Sequence, residues 1–184
     1  MKNLNLIGNT PLIKVDLNIA NIRVLVKLEI YNLTGSIKDR MAFYMLKKAK
    51  QKGKLKKGSI IIEATTGNTG IAFAALSSIL NYKMIAIMPE DMSSERIKIL
   101  KLYGAKIILT PKEKGPIGAI KKRNQLAQSI SNSWVPGQFT NKDNTEAHEK
   151  GIAKEILTQF QGKVDYFVHG IGTGGTFMGI AKDL

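Results

Sequence analysis

Short apolar runs rich in β-branched residues alternate along the chain with segments whose apolar positions recur at helical spacing. The runs read IRVLVKLE from Ile22, SIIIEA from Ser59, KMIAIM from Lys83, AKIILT from Ala105, a short SWVPG from Ser133 and VDYFVHGI from Val164. Between them lie amphipathic stretches: one beginning at Ser36, others over Asn68 to about Leu80, Ser93 to Tyr103, about Pro116 to Ile130 and about Thr145 to Phe160, and a last start at TFMGIAKDL. Strand, helix, strand, helix predicts an α/β protein with a parallel sheet covered on both faces. In such sheets ligands bind beyond the carboxyl ends of the strands, so the loops that follow strands are where chemistry is sought. The chain shows no internal repeat, low-complexity segment or flexible linker.

One helix start is unusual. In Asn32-Leu33-Thr34-Gly35-Ser36-Ile37-Lys38-Asp39-Arg40-Met41, Ser36 reads as an N-cap, which puts Lys38 in the first turn. The positive end of the helix dipole disfavours an ammonium there. The placement suits a neutral, nucleophilic amine instead, because desolvation and nearby positive potential lower a lysine's pKa.

Composition narrows the classes. With 184 residues, 43% of them hydrophobic, the chain is globular and long enough for a buried core. Without cysteine it has no disulfide and no thiolate metal site, and its two isolated histidines, His148 and His169, give no metal-ligand spacing, so no metal is expected. No apolar run approaches the ~20 residues of a spanning helix and no signal-peptide pattern opens the chain, so the cytoplasm is the expected setting. The net charge of +14 invites a nucleic-acid reading, but the lysines are dispersed and not interleaved with aromatics, which weighs against it.

Two further loops stand out. Thr65-Thr66-Gly67-Asn68-Thr69-Gly70 offers hydroxyls, an amide and backbone N–H groups just before a helix, a cradle for a carboxylate or other anion. Gly172-Thr173-Gly174-Gly175-Thr176 is glycine-rich and runs into a helix, which suits a phosphate. Plain turn geometry explains either loop as readily when each is taken alone. GTGGT matches neither a Walker loop nor a dinucleotide fingerprint.

Taken in order, the motifs resemble the cysteine synthase and cystathionine β-synthase family of fold type II enzymes that use pyridoxal phosphate. They are IGNTPL at Ile7 to Leu12, KLE and N-x-x-G-S-I-K-D-R ending at Arg40, TTGNTGIA at Thr65 to Ala72, MPEDMSSER at Met88 to Arg96, YGAKIILT at Tyr103 to Thr110, GQFTN at Gly137 to Asn141 and GIGTGGT at Gly170 to Thr176. The resemblance implies two three-layer α/β domains of the tryptophan synthase β-like superfamily. Residues 37–143 would form the small one, and 1–36 with 144–184 a large one whose C-terminal part is missing, with the cofactor in the cleft between them. It implies that Lys38 forms the Schiff base with pyridoxal phosphate and then acts as base at the substrate Cα. It further implies that Gly172, Thr173, Gly174, Gly175 and Thr176 hold the phosphate, that Asn68 bonds the ring 3′ oxygen, and that Thr65, Thr66, Gly67, Thr69 and Gln138 grip the substrate carboxylate. Gln138 also reads as an ordinary turn amide.

The implied activity is β-replacement on O-acetylserine or serine with sulfide or a thiol, a transferase or lyase step of cysteine biosynthesis in a homodimeric enzyme. A cystathionine β-synthase-like activity, a dehydratase and a non-catalytic remnant that binds a partner or small anion are the alternatives. Thr69 and the two threonines of GTGGT favour β-replacement over dehydration. The sequence departs from the family pattern at Leu33 and Thr34, where Pro-Gly is usual, and at Thr66, where serine is usual. The family's later strands, and a serine that bonds the pyridine nitrogen, have no counterpart here, so a fragment or a chain completed by a second polypeptide is expected.

Overall fold

The computed structural model describes residues 2–18 and 22–184. Backbone contacts divide the chain into two units, Met1–Met41 with Lys142–Leu184, and Ala42–Asn141. Lys38 therefore groups with the first unit, whereas the expected boundary at residue 37 counted it with the second.

The second unit is built on a four-stranded parallel sheet. Its strands are β3 (Ile60–Ala64), β4 (Lys83–Pro89), β5 (Lys106–Thr110) and β6 (Ser133–Trp134), in the order β5-β4-β3-β6. β4 is buried from Met84 to Pro89, the continuous apolar character of a strand covered on both faces, while the edge strand β5 is partly open. The chain steps outward from β3 to β5 through α2 (Asn68–Ile79) and α3 (Ser94–Leu102), then returns through α4 (Gly115–Ser129) to lay β6 beside β3. Right-handed crossovers put α2 and α3 on one face and, because the direction reverses, α4 on the other. Ile62, Ala64, Ile85, Ile87 and Ala119 form the core under α4, with Leu126 and Ile130 packed against them. Phe73 of α2 meets Trp134 edge-on, ring centroids 6.2 Å apart. The reversal makes the carboxyl ends of β3 and β6 a topological switch point, where a ligand crevice is expected.

The first unit carries an antiparallel pair, β1 (Leu12–Val15) with β2 (Val24–Lys27), and the start of α1 (Lys38–Gln51). A helical run follows: α5 (Asp143–His148), a π-helical turn at Glu149–Ala153 and α6 (Lys154–Gln159). The helix predicted over 145–160 is thus present but wound around a π turn, and that turn contributes Ile152 and Ala153 to a core shared with Ile180 of α7 (Gly175–Ala181).

The strand predicted over Val164 to Ile171 is not formed, which corrects that part of the reading. Phe167 and His169 are half-buried while Tyr166 and Val168 are 91% exposed, so the segment keeps a strand's alternation. It has no ladder partner among the described residues, and a strand exists only with one. Among the described residues no helix is long and apolar enough to cross a membrane.

Candidate active site

The loop before Lys38 is fixed by polar contacts on both sides of the lysine. Gly35 turns the chain at φ +77°, its N–H donating to Asn32 O at 2.9 Å. Ser36 Oγ accepts from Lys38 N at 3.2 Å, which is the expected cap. Asp39 is fully buried and reaches back: Thr34 donates to it from both its backbone N and its Oγ1, each at 2.6 Å. Thr34 thus gives the loop a restraint that glycine at that position does not supply. Burial pushes the Asp39 carboxyl up, and the two Thr34 bonds oppose the rise.

Arg40 points into a network. Its guanidinium donates to Glu29 Oε2 at 2.6 Å, Glu155 Oε1 at 2.6 Å and Thr10 Oγ1 at 3.2 Å, and Lys27 Nζ adds a bond to Glu155 Oε2 at 2.8 Å. Lys38 directly precedes these two anchored residues, Asp39 and Arg40, and has no carboxylate partner among the described residues. Burial pushes its ammonium below the usual lysine range.

Lys38 lines one pocket with residues His169 to Gly174, Thr176 and Phe177. Gly174 is left-handed at φ +79°, and a Cβ built at Gly170, Gly172 or Gly174 meets nothing within 4 Å, so bare backbone faces open space there. Asn144 Nδ2 donates to Thr173 Oγ1 at 3.0 Å. Gly175 does not line the pocket; a Cβ on it would stand 2.4 Å from Asn144 Oδ1, so its smallness is what lets α7 approach α5. Thr176 Oγ1 lies 3.1 Å from His148 Nε2. The structure thus brings Lys38, Gly172, Thr173, Gly174 and Thr176 to one place, with Gly175 behind them.

Within the second unit, Thr65 and Thr69 are buried while Thr66 and Asn68 are exposed. Thr65 Oγ1 accepts from Gly70 N at 2.9 Å and Gly67 N at 3.2 Å, closing the loop on itself. Thr69 Oγ1 donates to Gln138 Oε1 at 2.6 Å, and Gln138 Nε2 donates to Ala64 O at 3.2 Å. The loops after β3 and β6 therefore meet at the switch point, and Gln138 is more than a turn amide.

Beneath them Glu63 accepts from Arg123 Nη1 (2.9 Å), Ala64 N (2.9 Å), Gly137 N (2.8 Å) and Gln138 N (3.3 Å). Burial pushes this carboxyl up, and Arg123 and the backbone donors pull it back. The sequence reading did not single out Glu63, although an acid inside the apolar run SIIIEA is a signal. Nor did it assign a role to Asn144 and His148, which sit four apart on one helix and serve Thr173 and Thr176.

The family model for pyridoxal-phosphate dependent enzymes matches residues 4–184. A cysteine synthase from Flavobacterium sp. is 50% identical over 183 residues, covering 98% of this chain and 59% of that protein. A probable cysteine synthase from Bacillus subtilis is 46% identical over 185 residues, covering 98% of this chain and 60% of that protein. The crystal structure of a hydrogen sulfide-producing enzyme from Fusobacterium nucleatum superposes with a TM-score of 0.92 at 49% identity, over 97% of this chain and 55% of that one. The chain thus spans under two thirds of the length of these relatives. With the lysine and the glycine-threonine loop set around one pocket and the family model matching nearly end to end, the chain belongs to the family of pyridoxal-phosphate dependent enzymes.

Proposed function

We propose that the protein performs β-replacement on O-acetylserine or serine, with sulfide or a thiol as nucleophile, as a cysteine synthase. The observation that carries the proposal is that Lys38, half-buried and without a counter-ion, shares a pocket with the Gly172–Thr176 loop. The curated relatives named cysteine synthase support the choice of reaction.

The donor set fits pyridoxal phosphate: an amine pushed toward neutrality for its aldehyde, and exposed glycine backbone with two threonine hydroxyls for its phosphate. The cofactor, when bound, withdraws electrons from the substrate Cα, so that the Cα proton and the β-substituent can leave and a nucleophile can add.

Lys38 Nζ would hold the cofactor through its amine and would serve as the base that takes the substrate Cα proton. Thr173 and Thr176, with the N–H groups of residues 172–175, would hold the phosphate. In the second unit Thr65, Thr66, Gly67, Thr69 and Gln138 are assigned the substrate carboxylate, and Asn68 the ring 3′ oxygen. Glu63 keeps the Gly137 and Gln138 backbone in place for that task. The cytoplasmic setting and the homodimer implied by the resemblance belong to the same proposal, as do domain bounds at residues 37–143.

The test begins with borohydride reduction of the chain incubated with pyridoxal phosphate, followed by peptide mapping. A pyridoxyl group on Lys38 is expected. O-acetylserine should then shift the absorption band of the unreduced protein, and sulfide should restore it with formation of cysteine. A pyridoxyl group on other lysines only, or a band that neither O-acetylserine nor serine moves, refutes the proposal.

A further inference from the structure

His148 ends α5 with its side chain fully buried. Its Nε2 lies 3.1 Å from Thr176 Oγ1, and its Nδ1 has no hydrogen-bond partner. The titratable groups that act on it electrostatically are Lys38, Arg40 and His169. Burial first, and those charges second, push its pKa down to about 3, so the ring is neutral and carries a single N–H.

Where that hydrogen sits follows from satisfaction. On Nδ1 it would be a buried donor with no acceptor, an arrangement folded proteins rarely keep. On Nε2 it is donated to Thr176 Oγ1 and leaves only a bare lone pair on Nδ1. The Nε2–H form also decides what the threonine can do. Its oxygen is used as an acceptor, so its own hydrogen must go elsewhere, and no other acceptor meets it among the described residues. Thr176 lines the pocket it shares with Lys38 and residues 169–174.

We propose that His148 is the positioning residue of the phosphate site: as the Nε2–H tautomer it donates to Thr176 Oγ1 and so commits the Thr176 hydroxyl to donate into the pocket, to a phosphate oxygen. Without it the hydroxyl rotor is free to present a lone pair to the anion instead. The inference rests on the cofactor reading above and adds to it a residue whose imidazole touches no ligand.

The first test needs no variant. In the full chain labelled with 15N-histidine, the ring-nitrogen shifts of His148 should report Nε2 protonated and Nδ1 bare throughout the neutral range. A protonated Nδ1, or a doubly protonated ring at neutral pH, overturns the proposal.

The second test measures pyridoxal phosphate affinity by absorbance, with the Lys38 adduct confirmed by borohydride and mass spectrometry. His148→Leu should weaken binding about tenfold to a hundredfold, the worth of one hydrogen bond to a charged group. Thr176→Val should weaken it as much. The double variant should be no worse than either single one, because the two residues act as one unit. His148→Gln places an amide N–H near the position of Nε2 and should recover affinity to within about threefold of wild type. Affinity unchanged in His148→Leu, losses that add in the double variant, or no rescue by glutamine with the adduct intact in wild type, overturns the proposal while leaving the cofactor reading standing. Absence of any adduct in the wild-type chain overturns both.

Discussion

Arg40 is the residue whose removal should be felt most in the first unit. Its guanidinium makes five contacts: Nε to Glu29 Oε2 (2.6 Å), Nη2 to Glu29 Oε1 (2.9 Å), Nη1 to Glu155 Oε1 (2.6 Å), Nη2 to Glu155 Oε2 (2.8 Å) and Nη2 to Thr10 Oγ1 (3.2 Å). The two carboxylates are only 16% and 15% exposed. Arg40→Met keeps the stem and deletes the charge, so Glu29 and Glu155 are left with Lys27 as the remaining cation at Glu155. Removing one member of a buried pair costs about 3–5 kcal/mol, because the other charge stays behind without compensation. The residual exposure and Lys27 reduce this, so a loss of about 3 kcal/mol is expected against a margin of roughly 5–15 kcal/mol.

The pH dependence separates this cause from lost packing. Burial raises the Glu155 carboxyl, but its bonds to Arg40 and Lys27 and from Asn9 N outweigh it and hold the pKa down to about 2. A depressed folded-state value contributes stability that is present above the unfolded value, about 4.3, and is lost as pH falls through the folded one. The gap between wild type and Arg40→Met should therefore be constant from pH 5 to 8 and shrink steadily toward pH 2. Urea unfolding followed by circular dichroism at several pH values measures it. A gap under about 1 kcal/mol at pH 7, or one that does not narrow in acid, refutes the electrostatic account.

Three other outcomes follow from named contacts. Lys38→Ala should abolish the borohydride-fixed pyridoxyl group yet leave the urea midpoint unchanged or raised, since a desolvated cation without a partner is removed; a loss above about 1 kcal/mol would show a structural role instead. Gly175→Ala would put a Cβ 2.4 Å from Asn144 Oδ1, and the forced shift of α7 should cost about 1–3 kcal/mol in thermal unfolding and weaken cofactor binding; a wild-type melting curve would contradict the close packing. Glu63→Gln sets an amide donor against N–H groups and takes the counter-ion from Arg123, so about 3 kcal/mol should be lost, read from Trp134 fluorescence on the neighbouring strand β6; an unchanged midpoint would mean the carboxyl is already protonated.

The sheet of the second unit was legible because β3, β4 and β5 are isoleucine-rich apolar runs bounded by turn residues, β6 lies in the short SWVPG stretch, and each crossover has the length of a helix. Val164 to Ile171 has the same local signature and yet is no strand. Alternation reports which side chains face a core, here Phe167 and His169, but a ladder also needs a neighbour, and one segment's sequence does not say whether it has one. The candidate site divides in a similar way. Lys38 and the two glycine-containing loops stand out because unusual residues sit together in sequence. Their supports lie far away: Thr176 and His148 are separated by 28 positions, Gly137 and Glu63 by 74. Such contacts are set by tertiary packing, and only the oddity of a charge in an apolar strand hints at one of them in advance.

The same separation explains how a lysine can be held without being paired. A side chain kept ready for covalent chemistry must have its backbone fixed while its amine is left unneutralised, and those demands conflict when a single residue has to meet both. Here they are assigned to consecutive residues. Ser36 caps the Lys38 N–H, Asp39 binds back to Thr34, and Arg40 is gripped by Glu29 and Glu155, so the first turn of α1 is fixed by three neighbours. The helical turn sends these side chains in different directions, which keeps the carboxylates of Asp39, Glu29 and Glu155 engaged with other donors instead of with Lys38 Nζ. Burial then acts on the Lys38 amine without opposition and pushes it below the usual lysine range. The ion network serves reactivity by fixing the turn that carries the lysine, while its own charges stay engaged with one another.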